Sequence, residues 1–168
     1  MSTYVLKAQP LTSEAFEPYG EVIMQPPSAP DQDFPAYRYW DRIVRLDFTG
    51  SPPELAYVRM FHRPFKVTSL ERHRKATQTF VPVGCAAGVV VVAPGNPDDA
   101  DERPDPARAA AFFLDGRVGY HLKRGTWHQS MFPIGPTADY VMVVRRNNIV
   151  DDQEVKELGA EILIGLPA

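Results

Sequence analysis

The segment ERHRKATQTFVPVG, residues 71–84, is the stretch from which the fold can be inferred. Because successive residues of a β-strand point to opposite faces, Glu71 and His73 lie on one face and Arg72 on the other. Gln78 follows five residues after His73, which is enough for a turn and a returning strand. We therefore expect two strands that bring a carboxylate, an imidazole and an amide to one mouth.

The rest of the chain is divided into short apolar segments. Its 17 prolines and 11 glycines repeatedly cut these segments to strand length, which is typical of a sandwich or barrel. Short helices are predicted at 12–20 and 151–158, and solvated loops at 25–35 and 96–108. The predicted strands are 21–24, 36–40, 43–48, 55–61, 66–70, 77–83, 88–93, 110–114, 120–123, 139–145 and 161–164.

Length and composition limit the class of protein. The 168 residues, 44% hydrophobic and 23% charged, predict a single domain over residues 1–168. The net charge of −3, with no block of lysine and arginine, does not indicate a nucleic-acid partner, and the longest apolar run, 88–93, is too short to cross a membrane. The single cysteine, Cys85, and an N-terminus without a secretory pattern favour the cytoplasm.

Two spaced motifs resemble those of the cupins. The spacing E-x-H-x4-Q-x5-G in residues 71–84 is similar to the first cupin motif, H-x-H-x3-4-E-x6-G, with Glu71 and Gln78 as replacements. The sequence KRGTWH, residues 123–128, is similar to the second motif, P-x-G-x-x-H. The resemblance implies an all-β, cupin-like double-stranded β-helix, or jelly-roll barrel, with a few short helices at its periphery. Four side chains would then meet at the barrel mouth: Glu71, His73, Gln78 and His128.

These four side chains suit either of two functions, metal binding or acid–base catalysis. Imidazole and oxygen ligands suit a divalent metal such as nickel, zinc, manganese or iron. A metal-free pocket that uses the same groups for acid–base chemistry is an equally open alternative. No organic cofactor is expected.

Over nearly its full length the chain resembles the ureidoglycolate lyase family. Residues 71–82 are similar to the family signature E-R-H-x4-Q-x-F-x-P, and residues 127–128 to its W-H signature. The resemblance implies a cupin-type barrel, usually a homodimer, that cleaves ureidoglycolate to glyoxylate and urea in allantoin and purine catabolism, with nickel described in some members. Gln129 departs from the family, in which a second histidine often stands there, and so does Val144, which takes the place of an aspartate.

Roles in such a reaction can be assigned as hypotheses. Either His73 or Glu71 would be the base, with His128 as its partner or as the electrophile. Lys123 or Arg145 would bind the substrate carboxylate, since arginine offers a bidentate fork. The other candidates for substrate binding are Gln78, Trp127 and Tyr140.

Two other classes of function remain open for a barrel of this kind. One is a metal-dependent cupin enzyme, an oxygenase or isomerase, acting on another small carboxylic acid. The other is a non-catalytic cupin that binds a small anion.

Overall fold

The computed structural model describes residues 2–167 and consists mainly of β-strands. Most of the strands are short, as the spacing of proline and glycine predicts, and within residues 2–167 three short helical segments accompany them. In chain order the elements are β1 (Ser2–Lys7), β2 (Gln9–Pro10), α1 (Ser13–Phe16), β3 (Gly20–Ile23), β4 (Gln32–Phe34), β5 (Tyr37–Tyr39), β6 (Pro53–Phe61), β7 (Lys66–His73), β8 (Gln78–Pro82), β9 (Gly88–Ala93), a 3-10 helix (Pro106–Arg108), β10 (Ala110–Leu114), β11 (Gly119–Leu122), β12 (Trp127–Pro133), β13 (Thr137–Arg145), α2 (Asn148–Asp151) and β14 (Gln153–Gly165).

Two large sheets form the body of the protein. The seven-stranded sheet has the order β1-β14-β7-β12-β9-β10-β2, and the five-stranded sheet has the order β3-β11-β8-β13-β6. Pairing within them is antiparallel except where β1 meets β14 and β2 meets β10. Strands β4 and β5 form a separate hairpin.

The pattern of β9 shows how the two faces of the larger sheet are used. All six of its residues are buried, because its side chains enter two different hydrophobic cores. Val90 and Val92 pack with Phe80 and Tyr140 of the smaller sheet, so this core fills the interior between the sheets. The other core covers the opposite face and contains Val89, Val91, Leu70, Trp127 and Ile162. Side chains that alternate with the second core therefore point into the barrel.

The all-β, cupin-like barrel expected from the sequence is confirmed. Strands 88–93 and 110–114 have the predicted bounds. The strand at 43–48 was predicted wrongly, because that segment is irregular apart from a single bridge from Phe48 to Ala76. The helix at 151–158 was also predicted wrongly, because most of it belongs to β14 and pairs with β7 through residues 153–157.

The helical segments in the described part of the chain are short. None of the helices in residues 2–167 has the length and apolar character needed to span a membrane.

Candidate active site

Three titratable side chains converge inside the barrel. Glu71 and His73 are on the same face of β7, as alternation predicts, and His128 of β12 is the Cα partner of Glu71 across the two strands. One ligand atom from each residue lies within 4.8 Å of the other two. Both imidazoles are buried, whereas the Glu71 side chain keeps 19% of its exposure. We call these three residues the interior triad.

The hydrogen bonds of His128 fix how its ring is used. Its Nδ1 lies 2.9 Å from the carbonyl oxygen of Thr126, so Nδ1 carries the proton of the neutral ring. Nε2 then presents a lone pair, and it lies 3.5 Å from Oε1 of Glu71 without a hydrogen bond. Two acceptor atoms therefore face each other, an arrangement that a proton or a metal cation between them would stabilise.

The second imidazole of the triad has a similar free atom. Nδ1 of His73 is buried and has no hydrogen-bond partner, and its ring centroid is 5.5 Å from that of His128. Burial, together with repulsion from His128, lowers the pKa of His73 to about 3. Burial also lowers the pKa of His128, against the attraction of Glu71. Both rings are therefore neutral at pH 7 and available as bases or ligands.

Two further polar atoms in the interior lack partners. Gln78 lies on the same face of β8 as Phe80, which belongs to the interior core, and its Oε1 is buried and unpaired. The hydroxyl of Tyr140 is also buried without a partner, and burial raises its pKa well above the usual value. Because buried polar groups are nearly always hydrogen-bonded, these atoms are available to bind a ligand or a water molecule. Sequence analysis had identified both residues as candidates.

Two contributors to the site were missed by sequence analysis. The side-chain amide of Gln153, at the start of β14, donates a hydrogen bond to Oε2 of Glu71. Thr126 contributes only a backbone carbonyl, to His128. Neither has a local sequence signal. Only the pairing of Gln153 with His73 across β14 and β7 brings its amide to Glu71.

The structure does not bring Lys123, Arg145 or Trp127 to the interior triad. Nζ of Lys123 pairs with the carboxylate of Glu17 at 2.9 Å, outside the barrel. Arg145 alternates with the inward residues of β13, and its guanidinium is held by Asp151 and by the carbonyl oxygen of Thr49.

Trp127 belongs to the core on the far side of the larger sheet. Its ring lies 4.3 Å from the guanidinium carbon of Arg72, and its side chain is completely buried. In β12 it alternates with His128, so the two side chains point in opposite directions. Lys123 and Arg145, which the sequence suggested for binding the substrate carboxylate, thus have acidic partners outside the interior triad.

Together, the two packed sheets and the inward carboxylate and imidazoles define a cupin-type barrel with a candidate metal or acid–base centre. Comparison with known proteins identifies the family. The model of the family described as Ureidoglycolate lyase matches residues 3–164, and the chain belongs to that family.

Relatives from several bacteria carry the same name. The chain is 31% identical over 150 residues to "Ureidoglycolate lyase" of Pseudomonas paraeruginosa (strain DSM 24068 / PA7), covering 83% of each chain. It is 31% identical over 156 residues to "Ureidoglycolate lyase 1" of Rhizobium meliloti (strain 1021), covering 85% of this chain and 84% of the relative. It is 33% identical over 146 residues to "Ureidoglycolate lyase" of Burkholderia mallei (strain NCTC 10229), covering 83% and 82%.

Proposed function

We propose that this protein is a carbon–nitrogen lyase that cleaves ureidoglycolate to glyoxylate and urea, and that the interior triad is its reactive centre. Membership of the ureidoglycolate lyase family supports the reaction. The placement of the reactive centre rests on one observation: ligand atoms of Glu71, His73 and His128 lie within 4.8 Å of one another, and both imidazoles have an unpaired nitrogen. No observation favours an oxygenase or an isomerase.

The triad has the groups that the proposed reaction needs. Ureidoglycolate is a carbinolamide. When its hydroxyl loses a proton, the electron pair forms the carbonyl of glyoxylate, the carbon–nitrogen bond breaks, and the nitrogen takes a proton to leave as urea. Nδ1 of His73 or the carboxylate of Glu71 takes the hydroxyl proton, because burial keeps His73 neutral at pH 7. When Glu71 is the base, the proton passes from its carboxylate to the lone pair of His128 Nε2, 3.5 Å away, and from Nε2 to the departing nitrogen.

The same atoms fit a divalent metal. Two neutral imidazoles and a carboxylate are a common ligand set, and Oε1 of Gln78 would offer a further oxygen. A cation bound there would supply Lewis acidity toward a substrate oxygen. Nickel, which the family resemblance implies, stays a prediction.

Substrate recognition is assigned to Gln78 and Tyr140. The unpaired Oε1 of Gln78 accepts a hydrogen bond, and the unpaired hydroxyl of Tyr140 can donate or accept one. A ureido group carries both N–H donors and a carbonyl acceptor, so it would complement both residues. In this proposal Lys123, Arg145 and Trp127 do not touch the substrate, because their partners lie elsewhere.

The test compares Glu71→Gln and His128→Ala with wild-type protein and with Glu14→Gln, an exposed charge-matched control. Racemic ureidoglycolate is supplied with and without a chelator, and glyoxylate and urea are followed together. Because positioned acid–base groups contribute roughly 10²–10⁴-fold, we expect both triad variants to lose at least about 10²-fold in turnover while the control does not. Near-normal product release by both triad variants would remove the proposal. Glyoxylate binding without turnover in the wild type would instead support a binding protein.

We also propose a homodimer in the cytoplasm. Alternate residues of β6, an edge strand of the five-stranded sheet, expose apolar side chains on its outer face: Leu55 (76% exposed), Tyr57 (58%) and Phe61 (64%). A second copy covering this face would bury them. Light scattering tests the dimer, and Tyr57→Glu is expected to weaken it.

A further inference from the structure

We propose that the dipeptide Asp152-Gln153 positions the interior triad: Gln153, where β14 begins, orients the carboxylate of Glu71, and Asp152 fixes the turn that directly follows His73. This inference rests on the proposed function and adds two positioning residues to it. Neither residue needs to touch the substrate.

The contact between Gln153 and Glu71 leaves the two carboxylate oxygens of Glu71 with different partners. Oε2 accepts a hydrogen bond from the amide of Gln153, while Oε1 is the atom that lies 3.5 Å from Nε2 of His128. A free glutamate side chain samples several rotamers, and a donor on one oxygen restricts which way the other oxygen points. The next residue, Glu154, is turned the other way and binds Arg72. The alternation of β14 therefore directs Gln153 to the triad.

Asp152 supports His73, the second triad residue of β7. Its buried Oδ1 accepts hydrogen bonds from the backbone N–H groups of Arg74 and Lys75, both at 2.8 Å, and these are the residues directly after His73. The turn after His73 is thus tied to Asp152, while Nδ1 of the His73 ring has no partner.

Such supporting residues have a measurable effect in metal and acid–base sites. Groups that orient ligands typically contribute about 10–100-fold to metal affinity or activity. Because Gln153 is exposed, replacing it should change the orientation of Glu71 without disturbing the core. This separates a positioning role from a structural one.

The first experiment titrates metal-depleted protein with Ni²⁺ by calorimetry. The samples are wild type, Gln153→Leu, Glu71→Gln and the control Gln9→Leu, which alters another exposed glutamine. We expect Gln9→Leu to match wild type and Gln153→Leu to bind Ni²⁺ about 10–100-fold more weakly, with an unchanged melting temperature. If Gln153→Leu binds like wild type while Glu71→Gln is impaired, the positioning role is wrong and the triad stands. If Glu71→Gln also binds like wild type, the proposed metal site itself fails.

A second readout covers the case in which wild-type protein binds no Ni²⁺. Steady-state turnover of ureidoglycolate by Gln153→Leu should then show kcat reduced about 10–100-fold with KM nearly unchanged, because Glu71 is misdirected in the chemical step. A kcat equal to that of wild type would overturn the proposal. For Asp152, we expect Asp152→Ala to lose activity and Asp152→Asn, which keeps Oδ1, to restore most of it. Equal loss in both variants would contradict the role assigned to Oδ1.

Discussion

Replacing Arg72 by methionine should destabilise the protein more than the loss of any exposed ion pair. Arg72 lies between Glu71 and His73 in the sequence of β7, and its side chain points to the opposite face of the sheet. That side chain is completely buried. Its Nε donates to Glu154 at 2.8 Å, Nη1 to Glu102 at 2.6 Å and to the carbonyl oxygen of Asn96 at 3.0 Å, and Nη2 to the carbonyl oxygen of Asp99 at 2.6 Å. It therefore fastens the segment 96–102 to β7.

The expected loss of stability in Arg72→Met depends on how deeply its partners Glu102 and Glu154 are buried. Removing one member of a buried ion pair costs about 3–5 kcal/mol, because the remaining charge is left without compensation. Glu102 and Glu154 keep 20% and 29% of their exposure and regain some water, so the low end of this range applies. We expect Arg72→Met to lower the free energy of unfolding by about 3 kcal/mol, which for a chain of this length is roughly 6–12 °C in melting temperature.

Urea denaturation at pH 7, with Arg38→Met as the matched control, tests this value. Arg38 pairs with Asp33 in the exposed hairpin, where both side chains are more than 60% exposed, so its loss should cost less than about 1 kcal/mol. If Arg72→Met costs no more than Arg38→Met, the Arg72 network does not stabilise the fold. A double-mutant cycle with Glu102→Gln isolates the Arg72–Glu102 pair.

Three further predictions concern other buried or paired groups. Burial lowers the pKa of His121 to about 4, so the unfolded chain binds the proton first as the pH falls. The contribution of His121 to stability, fully present well above pH 6.5, should fall by about 2 kcal/mol by pH 5, and the buried His73 and His128 add losses of the same sign. Denaturation at the two pH values should show a smaller fall in His121→Gln, and an equal fall would contradict the assignment. Tyr140→Phe removes a buried hydroxyl without a partner, so it should raise stability by about 1 kcal/mol while lowering turnover, and unchanged turnover would exclude a contact with substrate. Lys123→Met breaks a half-exposed ion pair with Glu17 and should change stability by less than about 1 kcal/mol, with turnover unaffected; a large rise in KM would return Lys123 to the substrate site.

The local sequence predicted much of the fold and the core of the site. The β-branched run of β9 and its bounding glycine and proline residues define a buried strand without help from the rest of the chain. The alternation in residues 71–73 correctly placed Glu71 and His73 on one face and Arg72 on the other. Such features are local, because the period of a strand is fixed by backbone geometry.

The segments that were predicted wrongly lack this local control. Residues 43–48 have the composition of a strand, but the structure leaves them irregular. Residues 153–158 have acceptable helix formers, yet β7 pairs with residues 153–157, and this pairing across the sheet overrides a weak helical preference.

The sequence by itself determined that this chain forms many short strands, and that an acid and an imidazole share one face of β7. Only the tertiary structure decided which distant residues meet them: His128 and Gln153 approach Glu71, whereas Lys123 and Arg145 find acidic partners elsewhere. The reason is physical. Alternation along one strand is set by adjacent peptide units, but the partner of a side chain across strands depends on sheet order and register, which the whole chain settles together.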